Sequence, residues 1–348
     1  MKDIFNYKKT FGRKDKVGLV LGSGAARGLS HIGVIKALRE KGISVDLITG
    51  TSIGALIGAC FAGHGSIDEF EQLILNIDWK KLIGLIDFNF VLMQKGFVRG
   101  RRVSEFLRTF IGDIQFSDLK IPLAVVAADV NTGEQVVIKN GSVVEAVRAS
   151  ISLPGTFVAA KKDNRFLIDG GVVNPVPVDI AREMGAAFVI ACDVSGASQK
   201  MERVNKRKDT SKHVNNFIEE ARDSVKKAVL MKLNAQIDSF IKENTLLQKK
   251  FQQFRDRLRL LKPDVLGDVD KEAPSMFYAV AQAIYSMQYK IVQLQLKDAD
   301  IVIRPDTPNI DTFDFHRSAE SISAGYRAAK KAIEKLPARV ISQLRNYP

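Results

Sequence analysis

The sequence is poor in the residues from which disulfide scaffolds, metal sites and membrane spans are built. Its 348 residues include two cysteines and four histidines. Both cysteines, Cys60 and Cys192, lie in apolar stretches that are typical of buried, reduced thiols. No apolar run approaches the length of a transmembrane helix, and residues 1–16 contain no apolar stretch of a signal peptide. We therefore expect a cytoplasmic protein without a bound metal, whose membrane contacts are peripheral and on the inner face.

Acidic residues are scarce relative to basic ones, 39 against 52, which gives a formal net charge of +13. Nucleic acid is the first partner that such a charge suggests, but the chain has no zinc-ligand spacing, RNA-binding signature or basic motif interleaved with aromatic residues. We therefore expect no nucleic-acid partner. The charge favours an anionic membrane surface, which attracts a basic protein without any sequence readout.

Glycine and proline are both absent from residues 198–262, and this absence predicts a largely helical segment. Its apolar residues recur at the spacing of a coiled coil or a helical hairpin, with Asn244 at one polar position of the seam. A single helix of this length would extend about 100 Å, so we expect a break near residues 242–245. Basic residues predominate here. The segment can lie on anionic lipid, pack against the rest of the chain or self-associate, and the sequence leaves these alternatives open.

A serine flanked by glycines follows a strand-like run. Gly50-Thr51-Ser52-Ile53-Gly54 comes after the apolar segment 44–49 and before residues 55–62, which are rich in helix formers. This order is that of a nucleophile elbow, in which a glycine two positions away on either side of the serine avoids a steric clash. Such a serine lies at a helix N-terminus, which favours negative charge beside it. The alternative is an ordinary N-cap serine in a strand–helix connection.

A second unit of strand, loop and helix precedes this one. The segment Gly22-Ser23-Gly24-Ala25-Ala26-Arg27-Gly28 follows the apolar run 17–21 and opens into a helical pattern over 29–38. The amides of such a loop converge on one concavity, which can hold a phosphate or the oxyanion of a tetrahedral intermediate. A dinucleotide-binding loop is the competing interpretation, with Asp46 as its acidic residue, but Arg27 stands where that fingerprint needs its third glycine or alanine. We favour the oxyanion role because a candidate nucleophile lies on the next unit.

The candidate base is a carboxylate rather than a histidine. Asp169 follows the strand-like run 165–168 and precedes Gly170 and Gly171, which let the chain turn tightly. None of the histidines lies in a glycine-bearing turn, so we expect packing or surface roles for them: His31, His64, His213 and His316. A carboxylate can accept the serine proton directly if burial raises its pKa. The alternative is an Asp-Gly turn without a catalytic role.

Four motifs occur in a fixed order: residues 22–28, residues 50–54, Ala149-Ser150-Ile151-Ser152-Leu153-Pro154-Gly155-Thr156-Phe157 and Asp169-Gly170-Gly171-Val172-Val173-Asn174-Pro175-Val176-Pro177. In this order they resemble the patatin-like phospholipases, closely over about residues 17–195 and again, loosely, over 299–306. The resemblance implies a Ser52–Asp169 dyad that works without histidine, metal or cofactor. It also implies an oxyanion hole at the glycine-rich loop, formed here by Gly22, Ser23, Gly24, Ala25 and Arg27. Ser23 departs from the consecutive glycines that are usual at this loop.

Apolar runs typical of buried parallel strands alternate with amphipathic helices up to about residue 195. This alternation predicts a three-layer α/β/α sandwich with a mostly parallel central sheet, plus a long helical insertion. The predicted divisions are a basic N-terminal tail (1–16), a patatin-like catalytic core (17–197), the basic helical insertion (198–272), and C-terminal helices with the closing strand of the core (273–348).

These features together predict a serine acyl hydrolase of lipid esters, of the phospholipase A or lysophospholipase type. Its substrate would be a phospholipid or lysophospholipid presented at an anionic membrane surface. Two alternatives stay open: a lipid acyltransferase, which passes the acyl group to an acceptor other than water, and a membrane-associated regulatory interaction protein. Head group, chain length and positional preference depend on the shape of a pocket and do not follow from the sequence.

Overall fold

The computed structural model describes residues 15–77, 100–154, 157–195, 276–312 and 314–345. The predicted helical insertion, its break near residues 242–245 and most of the predicted N-terminal tail lie outside these ranges, so these remain predictions. By its contacts the chain divides into two units, Met1–Glu202 with Ala283–Pro348 and Arg203–Gln282. The sheet and the site described below belong to the first unit.

The described strands form one sheet with helices on both sides. In chain order the strands are β1 (Lys16–Leu21), β2 (Leu47–Thr51), β3 (Leu123–Asp129), β4 (Gln135–Ile138), β5 (Ala160–Lys162), β6 (Arg165–Asp169), β7 (Ala186–Cys192) and β8 (Ile301–Ile303). The helices are α1 (Ser30–Glu40), α2 (Ile53–His64), α3 (Asp68–Asn76), α4 (Gly100–Ile111), α5 (Val143–Ser150), α6 (Val178–Glu183), α7 (Met276–Gln295), α8 (Ser318–Glu334) and α9 (Ala338–Arg345). Two short 3-10 helices, Ala25–Leu29 and Gly170–Val172, lie next to the site.

The sheet is mainly parallel. Its strand order is β5-β6-β3-β2-β1-β7-β8, with β4 paired to β3 off this path. Strands β3, β2, β1, β7 and β8 run parallel to one another, whereas β4, β5 and β6 are antiparallel to their neighbours. A short turn over residues 130–134 connects β3 to β4.

Two apolar layers cover the two faces of the sheet. Strand β1 illustrates the reason, because alternate side chains of a strand point to opposite faces. Leu19 and Leu21 belong to one layer, with residues of α1, α2, α5 and α8. Val20 belongs to the other, with residues of α6 and α7. The predicted three-layer α/β/α sandwich with a mostly parallel sheet is therefore confirmed for the described residues.

Strands β2 and β6 meet end to end along one edge of β3. Thr51, the last residue of β2, is opposite Val126, and Asp169, the last residue of β6, is opposite Ala127. Both Val126 and Ala127 also pair with β4. Because a strand has only two edges, β2 and β6 must share the edge that β4 leaves free. The carboxyl ends of β2 and β6 therefore face each other at adjacent positions of β3.

Cys60 and Cys192 are free and buried, as the sequence predicts. Among the helices of the described ranges, none combines the length and the hydropathy that a membrane crossing requires.

Candidate active site

Ser52 lies on a sharp turn between β2 and α2. Its backbone has φ 57° and ψ −123°, a combination that costs a non-glycine residue free energy. A β-carbon added at Gly54 would lie 2.1 Å from the Leu21 carbonyl oxygen, and one added at Gly50 would lie 2.7 Å from the Ala55 nitrogen. The turn thus has no room for side chains at the two positions where the elbow needs glycine.

The Ser52 hydroxyl donates a hydrogen bond to the Asp169 carboxylate. The distance from Oγ to Oδ2 is 2.5 Å. The other carboxylate oxygen, Oδ1, accepts the Gly171 amide at 2.7 Å. The Ser52 amide donates to Ser150 Oγ at 2.8 Å. The two side chains of the predicted dyad are therefore in contact, and each residue has a further hydrogen bond, Asp169 to the Gly171 amide and Ser52 to Ser150.

The meeting of β2 and β6 on β3 explains this contact. Thr51, which directly precedes Ser52, and Asp169 are paired with adjacent residues of the same strand, β3. Gly170 lets the chain turn there, because a β-carbon at this position would lie 2.3 Å from the Val126 carbonyl oxygen. Sheet register, rather than loop contacts, brings together two residues that are far apart in the chain.

Burial sets the protonation of Asp169. The side chain is 5% exposed, and this loss of hydration raises the pKa of the carboxyl to about 6, against the lowering effect of the hydrogen bonds from Ser52 and Gly171. A carboxylate with a pKa near neutrality still ionises at working pH, yet holds a proton far better than an exposed aspartate. Asp169 therefore has the acid–base properties that a direct serine base requires.

Two amides of the glycine-rich loop are committed to the backbone. The Gly22 amide donates to the Cys192 carbonyl at 3.1 Å, and the Ser23 amide donates to the Pro175 carbonyl at 2.8 Å. These bonds anchor the loop to the end of β7 and to the segment that follows Asp169. An oxyanion would have to compete with those carbonyls for Gly22 and Ser23.

The next two amides, of Gly24 and Ala25, have no hydrogen-bond partner within the described part of the chain. Ala25 has a positive φ of 49°, so the unusual backbone angle of this loop falls there and not at Ser23. The loop lies against the elbow, since a β-carbon added at Gly28 would be 2.1 Å from Ile53 Cγ2. The first amides of α2, starting with that of Ile53, also have no acceptor inside their helix. The glycine-rich loop therefore packs against the residue that follows Ser52.

Arg27 is buried and bonded to backbone. Its guanidinium donates to the carbonyl oxygens of Val194, Ser195 and Ile310 at 3.1 to 3.3 Å. The side chain therefore joins the loop to two distant segments. The guanidinium is therefore occupied by backbone carbonyls, and the oxyanion role that the family resemblance implies for Arg27 stays a prediction.

The described histidines serve other purposes. His31 Nε2 bonds the Gly22 carbonyl oxygen at 2.8 Å, and complete burial lowers the pKa of this imidazole to about 4, which keeps it neutral. His64 Nδ1 bonds the Cys60 carbonyl oxygen, and His316 is exposed. His213 lies outside the described residues. Across the described ranges, no three His, Cys, Asp or Glu side chains gather in a way that could hold a metal ion.

Asp46, the acidic residue of the dinucleotide interpretation, accepts the Val17 amide at 2.6 Å. It therefore lies at the amino ends of β1 and β2, whereas the glycine-rich loop follows the carboxyl end of β1. A ribose at the loop would not reach it, and the dinucleotide interpretation loses its acidic residue.

Sequence reasoning missed several supporting residues. Ser150 lies in a quoted motif without an assigned role, and its hydroxyl both accepts the Ser52 amide and donates to the Val126 carbonyl. That motif was the available signal. Gln288 and Gln295 contact the segment after Asp169, but they lie more than a hundred residues away in the sequence without any motif around them.

The stretch of chain that contains Ser52 and Asp169 is similar to known proteins. Residues 19–182 match the model of the patatin-like phospholipases. An uncharacterized NTE family protein of Mycobacterium tuberculosis is 35% identical over 52% of this chain and 50% of its own. Neuropathy target esterase sws of Drosophila melanogaster is 36% identical over 52% of this chain and 13% of its own.

The human patatin-like phospholipase domain-containing protein 6 is 39% identical over 53% of this chain and 14% of its own. The chain thus spans half or less of the length of these relatives. Among solved structures, VipD from Legionella pneumophila has a TM-score of 0.49 at 14% identity, over 92% of this chain and 67% of that one. Residues 19–182 of this chain form a domain of the patatin-like phospholipase family.

Proposed function

We propose that this protein is a serine acyl hydrolase of lipid esters, of the phospholipase A or lysophospholipase type, with Ser52 as nucleophile and Asp169 as base. The observation that carries the proposal is the 2.5 Å contact between Ser52 Oγ and Asp169 Oδ2 on a strained, glycine-flanked turn. Membership of a family named for phospholipases supports a lipid ester as substrate, as does the similarity to a protein named as an esterase.

In the first half of the reaction, Ser52 Oγ attacks the ester carbonyl carbon and its proton passes to Asp169. The carbonyl oxygen becomes an oxyanion, and the free amides of Gly24, Ala25 and Ile53 are the donors that we assign to it. One such donor contributes about 10²- to 10³-fold in rate. Asp169 then returns the proton to the departing alcohol, and an acyl-serine remains.

In the second half, Asp169 accepts a proton from water as the water oxygen attacks the acyl-serine. Collapse of the second tetrahedral intermediate releases the fatty acid, and the proton returns to Ser52 Oγ. Each step needs Asp169 to gain and lose one proton, for which a pKa of about 6 is well suited. No histidine, metal or cofactor enters this scheme.

The proposed substrate is a phospholipid or lysophospholipid at an anionic membrane surface. A net charge of +13 attracts the protein to such a surface, and the proposed location is therefore cytoplasmic and peripheral to the inner face. Self-association through residues 198–262 stays a separate proposal.

Labelling with a fluorophosphonate tests the nucleophile. Peptide mapping by mass spectrometry is expected to find the adduct on Ser52, and Ser52→Ala is expected to abolish both the adduct and the turnover of a fatty-acyl ester. Ser44→Ala is the matched control because Ser44 precedes the other end of β2. An adduct on another serine, or full turnover by Ser52→Ala, would refute the proposal. Product analysis with added lysolipid separates hydrolysis from acyl transfer.

A further inference from the structure

Helix α7 faces the segment after Asp169 with two glutamines. Gln288 and Gln295 are seven residues apart, which is two helical turns, so their side chains lie on the same face. Met287 and Leu294, each one position earlier, are instead 58% and 62% exposed. The helix thus directs these two carboxamides toward the segment after Asp169 and leaves the two large apolar side chains exposed, while Val292 of the same helix is buried in the apolar layer described above.

Gln288 reaches Asp169 through a single residue. Its Nε2 donates to the Gly171 carbonyl oxygen at 2.8 Å, and the Gly171 amide donates to Asp169 Oδ1 at 2.7 Å. A β-carbon added at Gly171 would lie 3.0 Å from Asp169 Oδ1, 3.0 Å from Ser23 Oγ and 3.2 Å from Gln288 Nε2. Gly171 is therefore enclosed by the carboxylate on one side and by α7 on the other.

Gln295 reaches Ser52 by a parallel route. Its Oε1 accepts the Val176 amide at 3.1 Å, and its Nε2 donates to Asn174 Oδ1 at 2.6 Å. The Asn174 carbonyl oxygen accepts the Thr51 hydroxyl at 2.8 Å, and Thr51 immediately precedes Ser52. One helix is thus connected by short hydrogen-bond chains to both members of the dyad.

We propose that Gln288 and Gln295 are positioning residues of the dyad: through Gly171 and Asn174 they fix the segment that orients the Asp169 carboxylate toward Ser52. This inference rests on the proposed function, because it concerns the same pair of residues. It assigns a role to a helix that lies outside residues 19–182, the part of the chain that the family model matches.

Few groups other than Ser52 and the Gly171 amide can change the pKa of Asp169. The charged side chains on the surrounding elements bond to groups other than Asp169. Three of them bond to backbone or hydroxyl groups: Arg27 donates to the carbonyls of Val194, Ser195 and Ile310, Arg148 donates to Ser152 and the Val158 carbonyl, and Asp129 accepts the amides of Asn131 and Thr132. The others bond to polar or charged side chains: Lys162 to Asp163, Arg165 to Asp129, Asp179 to Asn174, and Asp193 to Ser195 and Arg304. Lys161 and Lys290 are exposed to solvent. Asp169 depends on burial and on the bonds from Ser52 and Gly171. Loss of the Gly171 anchor should therefore raise its pKa.

The test compares Gln288→Met with Gln293→Met. Methionine keeps the length of glutamine but removes the donor to Gly171, whereas Gln293 lies on the same helix and makes no hydrogen bond to the segment after Asp169. For Gln288→Met we expect kcat to fall about fivefold to tenfold, the effect of one lost hydrogen bond, with KM unchanged. The acid limb of the pH–rate profile should move to higher pH. Gln293→Met should match the unaltered protein.

A measurement that needs no substrate separates this inference from the proposed function. Titration of the Asp169 carboxyl carbon by ¹³C NMR should give a higher pKa in Gln288→Met than in the unaltered protein. An unchanged pKa together with an unchanged kcat would overturn the inference. A shifted pKa in a protein that hydrolyses no ester would overturn the proposed function alone.

Two further variants guard against loss of folding. Gln288→Glu keeps a polar side chain and brings a second carboxylate toward Asp169, so its acid limb should move further than that of Gln288→Met. Gln295→Met should lower kcat without this pH shift, because its chain leads to Ser52. If both variants melt at the temperature of the unaltered protein and retain its kcat and pH profile, the positioning role is excluded.

Discussion

Ser52 holds a backbone conformation that is unfavourable for any residue with a β-carbon. Its φ of 57° and ψ of −123° cost about 1 to 3 kcal/mol. The hydrogen bond to Ser150 and the tight contact of Gly54 with Leu21 maintain it. The strained backbone at Ser52 thus lowers the stability of the fold and places the Ser52 hydroxyl at the N-terminus of α2.

Replacing Ser52 should reveal this strain. We expect Ser52→Gly to be more stable than Ser52→Ala by about 1 kcal/mol, because glycine adopts this conformation without a steric penalty. Both variants should lack ester hydrolysis. Urea unfolding measures the difference, and a Ser52→Gly protein less stable than Ser52→Ala would show that the turn is not strained.

The burial of Asp169 should make stability depend on pH. Its carboxyl has a pKa of about 6 in the folded protein against 3.8 for a hydrated aspartate, so ionisation is harder in the folded state. The contribution of this carboxyl to the free energy of unfolding is therefore fully present below pH 4, and it declines as the pH rises toward 6.

Asp169→Asn should lack this decline. Relative to the variant, the unaltered protein should lose roughly 1 to 3 kcal/mol between pH 4 and pH 6.5, measured as the difference between their free energies of unfolding. Parallel curves for the two proteins would mean that Asp169 is hydrated in solution. The variant should also lose nearly all turnover, since it cannot accept the Ser52 proton.

At the scale of elements, helices α1 and α8 cross with their backbones in contact. A β-carbon added at Gly33 would lie 1.9 Å from the Ile322 carbonyl oxygen, and one at Gly325 would lie 1.9 Å from the Ser30 carbonyl oxygen. Helix α1 begins directly after the glycine-rich loop, and Ser321 of α8 donates to the Arg27 carbonyl at 3.0 Å. The crossing therefore fixes the loop that carries the free amides.

Gly325→Ala should separate these two helices. In an isolated helix this change stabilises by about 1 kcal/mol, but here we expect a loss of roughly 2 to 4 kcal/mol, because backbone atoms cannot yield as a side chain can. Gly63→Ala in α2 is the control, since its β-carbon would meet the flexible ends of two side chains, Ile114 at 3.0 Å and Leu119 at 3.8 Å, and no backbone atom. Thermal unfolding of both variants tests the prediction, and equal melting temperatures would contradict it.

At the scale of the whole molecule, the excess of basic residues should bind the protein to anionic vesicles. Each lysine or arginine near such a surface contributes about 1 kcal/mol, so binding should weaken at high salt. Vesicles of phosphatidylcholine with phosphatidylserine should sediment with the protein, and vesicles of phosphatidylcholine alone should not. Deletion of residues 198–262 should weaken sedimentation. Salt-insensitive binding that survives the deletion would exclude this surface attraction.

Local pattern predicted the fold class and pointed to Ser52 and Asp169 as candidates, because both inferences rest on short-range rules. Gly50 and Gly54 identify a turn with no room for a side chain at these two positions, and apolar runs identify the buried strands. The pairing of β2 and β6 on one edge of β3 could not be predicted, since it depends on strand register across the sheet.

The hydrogen-bond partners of buried polar groups could not be predicted from the sequence either. Nothing in the sequence around Arg27 indicated that its guanidinium bonds the carbonyls of Val194, Ser195 and Ile310. Gln288 and Gln295 carry no pattern of their own, and only folding brings α7 to Gly171 and Asn174. Contacts between residues so distant in the chain leave no mark in hydropathy or spacing.

The end-to-end meeting of β2 and β6 has a consequence for how such a chain can vary over evolutionary time. Because Thr51 and Asp169 are fixed to neighbouring rungs of β3, insertions or deletions elsewhere between them need not disturb the reacting atoms. A single residue added inside β3 between Val126 and Ala127 would instead pull the pair apart. Tolerance to length change should therefore be high in the connecting loops and nearly nil at that one rung.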